Sequence, residues 1–460
     1  MKIHFIGIGG IGVSALAKYY LSRGDQVLGS DLTPSEITDQ LEKMGATIFI
    51  GPHRPRFDLK NFSRSNLKRT PDLVIYSPAI TNDNPELKTA RKLKIKCQSY
   101  PENLGELTKE YFTIAICGTH GKGTTTAMIS LILIKAGLDP TVIIGTKLKE
   151  FHNSNFRQGK SKYLIIEADE YKSSFLNYSP KIIVLTCLDR DHLDYFKNLG
   201  NIIKTFEKFI KKLPENGALI LNNDDKNSLK IKSKIKAKAY SLKQKEGIIL
   251  KKILKLPGDH IISDALAALT LARTLKIKDK ISFKALSEYQ GAWRRFDQKK
   301  IRIKNQIIEL INDYAHHPTE IMVTLKAVRQ KYPDKKICCV FQPHQYQRTF
   351  YLFKDFVKVF IESKIDKLIL TDIYSVSGRE SAQIKKKVSS KKLAEAIQKI
   401  LNTKHQIQNT KIIYISTIKE TLTYLKKNLR NKEVLIIMGA GDIYELAQLL
   451  TTTKRKAKIK

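Results

Sequence analysis

Between Ile114 and Ile129 the chain reads IAICGTHGKGTTTAMI. An apolar run stops at Gly118, turns through Thr119, His120 and Gly121, and resumes as an apolar stretch after Lys122. This order suits a polyphosphate. Gly118 and Gly121 let the backbone turn tightly and approach an anion, and the following helix offers free N–H groups and the positive end of its dipole. Lys122 supplies a point charge for the outer phosphates, and a hydroxyl at the helix start is placed to ligate Mg²⁺. The spacing is compressed, with two residues between the glycines. Gly123 stands where Ser or Thr is usual, so the first hydroxyl falls on Thr124. A plain glycine-capped turn is the competing reading.

A second glycine-rich turn lies in FIGIGGIGVSALA, where Gly7, Gly9 and Gly12, with Gly10 and Ile11 among them, have the spacing of a diphosphate-binding turn. Asp31 closes the next apolar run, at the distance expected of a ribose contact. Taken alone, this pattern suggests a nicotinamide dinucleotide enzyme. Any diphosphate at a helix N-terminus uses the same physics, however, and a dinucleotide leaves Lys122 idle. Two cradles in one chain argue for two phosphorylated ligands.

Acidic and histidine groups recur at strand ends. IIEADE puts Glu167 there, and LDRDHLD puts His192 there. A carboxylate and a histidine near Lys122 suit Mg²⁺ held against a triphosphate, although Mg²⁺ prefers oxygen ligands. Further on, NDYAHHPTE and FQPHQYQRT contribute His316, His317 and His344. Pro318 is expected at the first position of a helix. His344 and Arg348 are expected to share one helical face at i, i+4. The histidine spacing fits no common zinc site.

The elements that must hold these residues follow from periodicity. KIHFIGIG, QVLGSD and DLVIYSPAI read as strands, with a helix over GVSALAKYYLSRG that ends at Gly24. After the junction SYPENLGELTKE come YFTIAICG, KYLIIEADE, KIIVLTCLDRDH and ALILNND. A third set comprises IIELINDYA, KKICCVFQP, KLILTDIY, KIIYIST and EVLIIMGAGD, separated by amphipathic helices. This alternation predicts an α/β chain of three domains, divided at 1–105, 106–297 and 298–460, with polar ligand groups beyond the carboxyl ends of parallel strands.

Composition narrows the function classes. The 460 residues carry 82 Lys+Arg against 44 Asp+Glu, a net charge of +38. Lysine is spread through every segment, and only KIKSKIKAKAY and KRKAKIK form dense runs. With no nucleic-acid module beside them, the charge reads as a lysine-biased surface that attracts polyphosphate substrates, with no specific nucleic-acid partner. Five cysteines, without a Cys-x-x-Cys pair, read as reduced thiols of a cytoplasmic protein. No apolar run approaches a membrane span, and a signal-peptide reading of the start fails on its glycine turn.

CGTHGKGTTT, EADE, DHLD, RRFD, DYAHHPTE, FQPHQYQRT and MGAGD occur in this order, and together they resemble the Mur ligases over nearly the whole chain. The resemblance implies a Rossmann-like N-terminal UDP-binding domain, a P-loop ATPase-like central domain and a Rossmann-like C-terminal domain. It implies ATP-dependent ligation of L-alanine to the lactoyl carboxylate of UDP-N-acetylmuramate by a cytoplasmic monomer or homodimer. Gly7, Gly9, Gly10, Ile11, Gly12, Asp31 and Ser77 would then face the nucleotide-sugar. Residues Gly118 through Thr124, with Lys122 among the catalytic groups, would hold ATP. Thr124, Glu167 and His192 would hold Mg²⁺. Asp313, Tyr314, His344 and Arg348 would line the place where carboxylate and amine meet, and Arg294 and Arg295 would sit at a hinge.

The chain departs from the family at GDHIISDALAAL, where Ile261 and Asp264 replace asparagines that approach adenine, at Gln345 in place of a frequent arginine, and at Asn312 in place of a frequent aspartate. The stretch between NNDD and GDH is shorter than usual, so the central domain is expected to lack some strands. A relative that attaches a whole tripeptide to the same nucleotide-sugar, or a non-catalytic binder of it, fits the same motifs.

Overall fold

The computed structural model describes residues 1–55, 70–303, 305–376, 380, 382–403 and 410–451. The basic run KRKAKIK lies outside them. Three sheets follow one another along the chain.

The first is built from β1 (Lys2–Ile6), β2 (Gln26–Asp31), β3 (Thr47–Ile50), β4 (Leu73–Tyr76) and β5 (Lys96–Ser99) in the order β3-β2-β1-β4-β5, all parallel. The strand order reverses direction between β1 and β4, which opens a crevice at their carboxyl ends. Helix α1 (Ile11–Ser22) leaves the glycine turn, and the chain turns back at Gly24 with φ +82°. Helices α2 (Glu36–Lys43), α3 (Pro85–Lys92) and α4 (Tyr100–Glu110) complete the layers. Reciprocal caps start α2 and α4, at Ser35 with Thr38 and at Ser99 with Glu102.

The second sheet has seven strands: β6 (Phe112–Cys117), β7 (Thr141–Leu148), β8 (Ser154–Arg157), β9 (Tyr163–Glu167), β10 (Ile182–Leu185), β11 (Ala218–Asn222) and β12 (Lys238–Tyr240). Their order is β12-β11-β10-β6-β9-β7-β8, parallel except for β8 against β7. Helix α5 (Lys122–Lys135) follows β6 directly across the four-residue loop Gly118–Gly121. Helices α6 (Leu193–Phe196), α7 (Leu199–Ile210), α8 (Glu246–Ile253), α9 (Asp259–Thr274) and α10 (Asp279–Glu288) come next.

The third sheet runs β13-β14-β18-β15-β16-β17, with β13 (Asp297–Ile303) antiparallel to β14 (Gln306–Asp313) and β15 (Ile337–Phe341), β16 (Lys367–Leu370), β17 (Lys411–Tyr414) and β18 (Val434–Met438) parallel. Pro318 opens α11 (Pro318–Lys331), as its fixed φ favours. Then come α12 (Tyr346–Tyr351), α13 (Phe353–Glu362), α14 (Ala382–Lys387), α15 (Ser390–Thr403), α16 (Ile418–Asn428) and α17 (Tyr444–Thr451). Separate cores cover the two faces of this sheet, one around Phe341, Phe356 and Ile436 and one around Leu310, Ile437 and Leu446.

By compactness the chain forms two units. One comprises 1–188, 202–244 and 264–289, and holds the first two sheets; the other comprises 189–201, 245–263 and 290–460, and holds the third. Among the described residues no helix is long and apolar enough to cross a membrane. All five cysteines are free thiols; Cys117, Cys338 and Cys339 are buried and Cys97 and Cys187 partly so.

Beneath the first crevice lies a buried polar network. The carboxylate of Glu86, on α3, is fully enclosed. It meets His4 Nε2 at 2.8 Å and His53 Nδ1 at 3.0 Å, and accepts a hydrogen bond from Ser30 Oγ at 2.8 Å. Burial alone raises a carboxyl pKa, but the hydrogen bond and charge of His4, with those from Ser30 and His53, outweigh it and bring Glu86 down to about 2. A carboxyl whose folded pKa lies below its unfolded value stabilises the fold above the unfolded value and loses that contribution as pH falls. The protein is therefore expected to lose stability between about pH 4.5 and pH 2 through this group. In Glu86→Gln the urea midpoint should be lower than wild type at pH 7, and the gap should narrow toward pH 3; a gap independent of pH would contradict the network.

Candidate active site

The loop after β6 is shaped by what surrounds its glycines. Gly118 has φ +131°, and a Cβ there would lie 2.1 Å from Thr186 Oγ1. Gly121 has φ +80°, and its Cβ would meet Asp264 Oδ1 at 2.4 Å. Thr119 N–H donates to Cys187 O at 2.8 Å, and the Thr186 hydroxyl donates to His120 O at 2.5 Å, so the loop is tied down to the end of β10. Asp264, on α9, accepts from the Thr125 hydroxyl at 3.0 Å and fixes the first turn of α5. Where the sequence departs from asparagine, the carboxylate thus braces the phosphate loop.

Lys122 bridges its own loop. Its ammonium donates to Gly118 O at 2.6 Å and to Glu170 Oε2 at 2.9 Å. Burial opposes the charge, but Glu170, with Asp169 and Glu167 behind it, raises the lysine pKa and keeps it cationic. Gly123 also has a physical reason. A Cβ there would stand 3.1 Å from Glu167 Oε1, and Gly145 on β7 donates its N–H to that same oxygen at 2.8 Å. Glu167 is thus slotted between two glycines, and the hydroxyl shifts to Thr124. That hydroxyl makes no hydrogen bond among the described residues. A free hydroxyl in the first turn of α5 and a held carboxylate at the end of β9 are hard oxygen donors, which fit Mg²⁺.

In the first cradle, Gly7 and Ile8 donate N–H bonds to Ser30 O at 2.8 and 3.1 Å. Asp31 turns its carboxylate onto the Gly9 N–H at 2.8 Å and its other oxygen onto the Leu32 N–H at 2.8 Å. Asp31 thereby shapes the turn. Ser77 lies across the crevice, with its Cβ 3.0 Å from where Gly7 would carry one. Gly10 and Ile11 begin α1, and the carbonyl of Ile11 accepts from the Asn155 amide.

Asn155 fastens the second sheet to the helix that leaves the first cradle, within the first unit. It sits on β8 of the second sheet and is 1% exposed. Besides Ile11 O, its amide donates to Ser14 Oγ at 3.0 Å, and its carbonyl accepts from Lys18 Nζ at 2.8 Å. Burial, with the nearby Lys147 charge, lowers Lys18 to about 8. Lys147, on β7, pairs with Glu36 of α2 at 2.9 Å.

The second unit assembles a separate cluster. His344 lies on a bridge to Tyr374 before α12 begins, so the expected shared helical face with Arg348 does not form. Proline 343 and a left-handed Gln345 (φ +72°) keep His344 out of the helix. The two side chains still meet, with Arg348 Nη1 donating to His344 Nδ1 at 3.2 Å. Arg348 also holds Asp191 through Nε and Nη2 at 3.0 and 3.2 Å, a buried pair that lowers the Asp191 pKa well below normal against the effect of burial. His192 follows in a left-handed conformation and caps α6. His316 donates through Nδ1 to Tyr314 O at 2.9 Å, and burial pulls its pKa to about 3. His317 caps α11.

Asp313 and the arginines serve packing as well. Asp313 accepts from the Phe296 and Ala315 N–H groups at 2.7 and 2.8 Å, and burial raises its pKa. Arg294 lies 4.8 Å from both the Tyr314 and Tyr444 rings and donates to Gly439 O and Gly441 O. It locks the MGAGD turn to Tyr314. Arg295 stands over the other side of Tyr314, 5.0 Å from its ring.

Sequence reasoning missed Glu170, Asp191, Asn155 and the bracing role of Asp264. Glu170 stood inside the quoted EADE run, and only its distance from Lys122 in space gives it a role. Asn155 lies in a polar segment with no periodic signal.

Comparison with known proteins agrees with this arrangement. Family models match in order: "Mur ligase family, catalytic domain" over 2–112, "Mur ligase middle domain" over 116–272, and "Mur ligase, glutamate ligase domain" over 294–441. The UDP-N-acetylmuramate–L-alanine ligase of Clostridium acetobutylicum is 41% identical, with 97% of each chain covered. The protein of the same name from Acetivibrio thermocellus is 38% identical, covering 99% of this chain and 97% of its own. The crystal structure of the Thermotoga maritima UDP-N-acetylmuramate–alanine ligase superposes with a TM-score of 0.77 at 26% identity, covering 98% of both chains.

Two substitutions test the loop. Lys122→Ala should keep the fold by circular dichroism yet lose ATP-dependent turnover by at least about a hundredfold. Gly123→Ser, which restores the more usual residue, should lower turnover by about tenfold, because its Cβ crowds Glu167 Oε1 at 3.1 Å. An unimpaired Gly123→Ser enzyme would show that this contact is slack.

Proposed function

The chain belongs to the Mur ligase family, and from that premise we propose that it joins L-alanine to the lactoyl carboxylate of UDP-N-acetylmuramate, using ATP and making a peptidoglycan precursor. One observation carries the reading beyond resemblance. A lysine-bearing glycine loop and a second glycine turn stand in one compact unit, whose second sheet is fastened through Asn155 to the helix leaving that second turn.

The assignment of parts follows the three-way division of the chain. Residues 1–105 take the nucleotide-sugar at Gly7–Gly12, Asp31 and Ser77. Residues 106–297 take ATP at Gly118–Thr124. Residues 298–460 handle the amino acid near Tyr314, His344 and Arg348. Thr124 and Glu167 would hold Mg²⁺; His192, the third residue that the sequence assigns to that ion, belongs to the second unit. When bound, the ion would offset charge on the phosphates. The substrates are small molecules, and the cytoplasm, where ATP and nucleotide-sugars meet, is the expected compartment for a monomer or homodimer.

The chemistry needs activation before bond formation. A carboxylate is a poor acyl donor, because oxide is a very poor leaving group. Transfer of the terminal phosphoryl of ATP to the lactoyl carboxylate gives an acyl phosphate and ADP. The neutral amine of L-alanine then attacks the acyl carbon, the tetrahedral oxyanion collapses, and phosphate leaves as the amide forms. Lys122 is placed to exchange Glu170 for the transferring phosphoryl and to offset its charge. Water must be kept from the acyl phosphate.

The amine must also lose a proton. His316 is a weak base, since burial holds it near pKa 3. Arg348 donates to His344 Nδ1, which puts the proton of neutral His344 on Nε2 and makes that nitrogen a donor. These two facts favour His344 as a positioning donor and leave deprotonation to a carboxylate or to solvent.

Phosphate release should require UDP-N-acetylmuramate, ATP and L-alanine together. L-alanine should be preferred over the L-Ala–γ-D-Glu-based tripeptide by at least about tenfold in kcat/KM. Preference for the tripeptide would move the chain to the recycling branch, and no release with either amine would make it a binder without turnover.

A further inference from the structure

The junction stretch SYPENLGELTKE becomes the start of α4, and it aims one side chain between the two cradles. Ser99 gives its backbone N–H and its hydroxyl to Glu102 Oε2 at 2.6 and 2.7 Å, and Pro101 fixes the first turn. This rigid cap sets the direction of Tyr100. Its ring lies against the first turn of α1: a Cβ on Gly12 would stand 3.0 Å from Tyr100 Cζ and 3.1 Å from its hydroxyl oxygen. The third glycine of the first cradle therefore makes room for a tyrosine, where the sequence suggested contact with the ligand.

The other surroundings of the ring belong to the second cradle. Glu167 and Asp169, at the end of β9, act on the phenol; burial first and then these carboxylates hold it protonated, well above the ordinary tyrosine pKa. Tyr178, itself 1% exposed, lies in the same neighbourhood. Yet Tyr100 is only partly buried, and its hydroxyl makes no hydrogen bond among the described residues. A tyrosine in so crowded a place ordinarily finds a partner for its O–H.

We infer that Tyr100 is a substrate-contacting residue whose O–H donates to a carboxylate or sugar oxygen of the nucleotide-sugar acid where that molecule crosses from the glycine turn toward the phosphate loop. This rests on the proposed ligase reading. The chemistry favours an anionic acceptor. The phenol O–H set against the glycine turn is a donor, so a ligand carboxylate reaching past that turn finds a hydrogen bond there. Phosphoryl transfer needs that approach.

Tyr100→Phe removes the hydroxyl and keeps the ring on Gly12; Tyr100→Ala removes both. Steady-state kinetics with UDP-N-acetylmuramate, ATP and L-alanine should show KM for the nucleotide-sugar raised about tenfold in Tyr100→Phe, with KM for ATP and the melting temperature unchanged. An unchanged nucleotide-sugar KM in Tyr100→Phe overturns the inference, and impairment confined to Tyr100→Ala assigns the residue to packing alone. Equal losses toward ATP and nucleotide-sugar also overturn it. Wild-type turnover in the same assay tests the ligase reading separately. If wild type fails to turn over, calorimetry of UDP-N-acetylmuramate binding to wild type and Tyr100→Phe still decides the role of Tyr100.

Discussion

The first unit depends on fastening the helix that leaves one glycine turn to the sheet that carries the other. Each turn alone is a glycine bend before a helix N-terminus, and neither fixes the position of the other. Asn155 supplies the tie, because one buried amide reaches across to Ile11, Ser14 and Lys18 of the helix that leaves the first cradle. Three hydrogen bonds of this one amide go to α1, so the strand carrying it and the helix cannot slide independently. Loss of such a contact would leave buried donors and acceptors unsatisfied, which costs far more than the hydrogen bonds themselves contribute.

The glycines take their meaning from that same crowding. Gly118 clears the Thr186 hydroxyl, Gly121 clears Asp264, Gly123 and Gly145 admit Glu167, and Gly12 admits the ring of Tyr100. Only some of these residues need unusual backbone angles; the rest need the absence of a side chain. The charge pattern around Lys122 is equally communal. Three carboxylates keep the lysine cationic, and the lysine in turn makes the burial of Glu170 tolerable.

In the second unit, residues that a motif reader would assign to chemistry carry much of the architecture. Asp313 fastens two backbone turns, Arg294 is packed between tyrosines, and His317 caps a helix. Arg348 spends Nε and Nη2 on Asp191 and Nη1 on His344. A cluster assembled in this way is stiff, because each charged group is already held by a partner.

The amino-acid sequence by itself determined the α/β class, three successive sheets, both glycine turns and the family. These rest on local signals: buried strands read as continuous apolar runs, and glycine turns sit directly before helices. The strands it left unseen were β3, β5, β7, β8, β12 and β13. Several, such as Thr47–Ile50 and Lys96–Ser99, are short, polar or exposed edge strands whose partners supply their identity. Only the tertiary structure decided that Glu170 faces Lys122, that Asp264 braces the loop, that His344 stays outside α12, and that Tyr100 leans on Gly12. Those outcomes depend on groups far apart in sequence arriving at one place, and no local pattern encodes a distance across space.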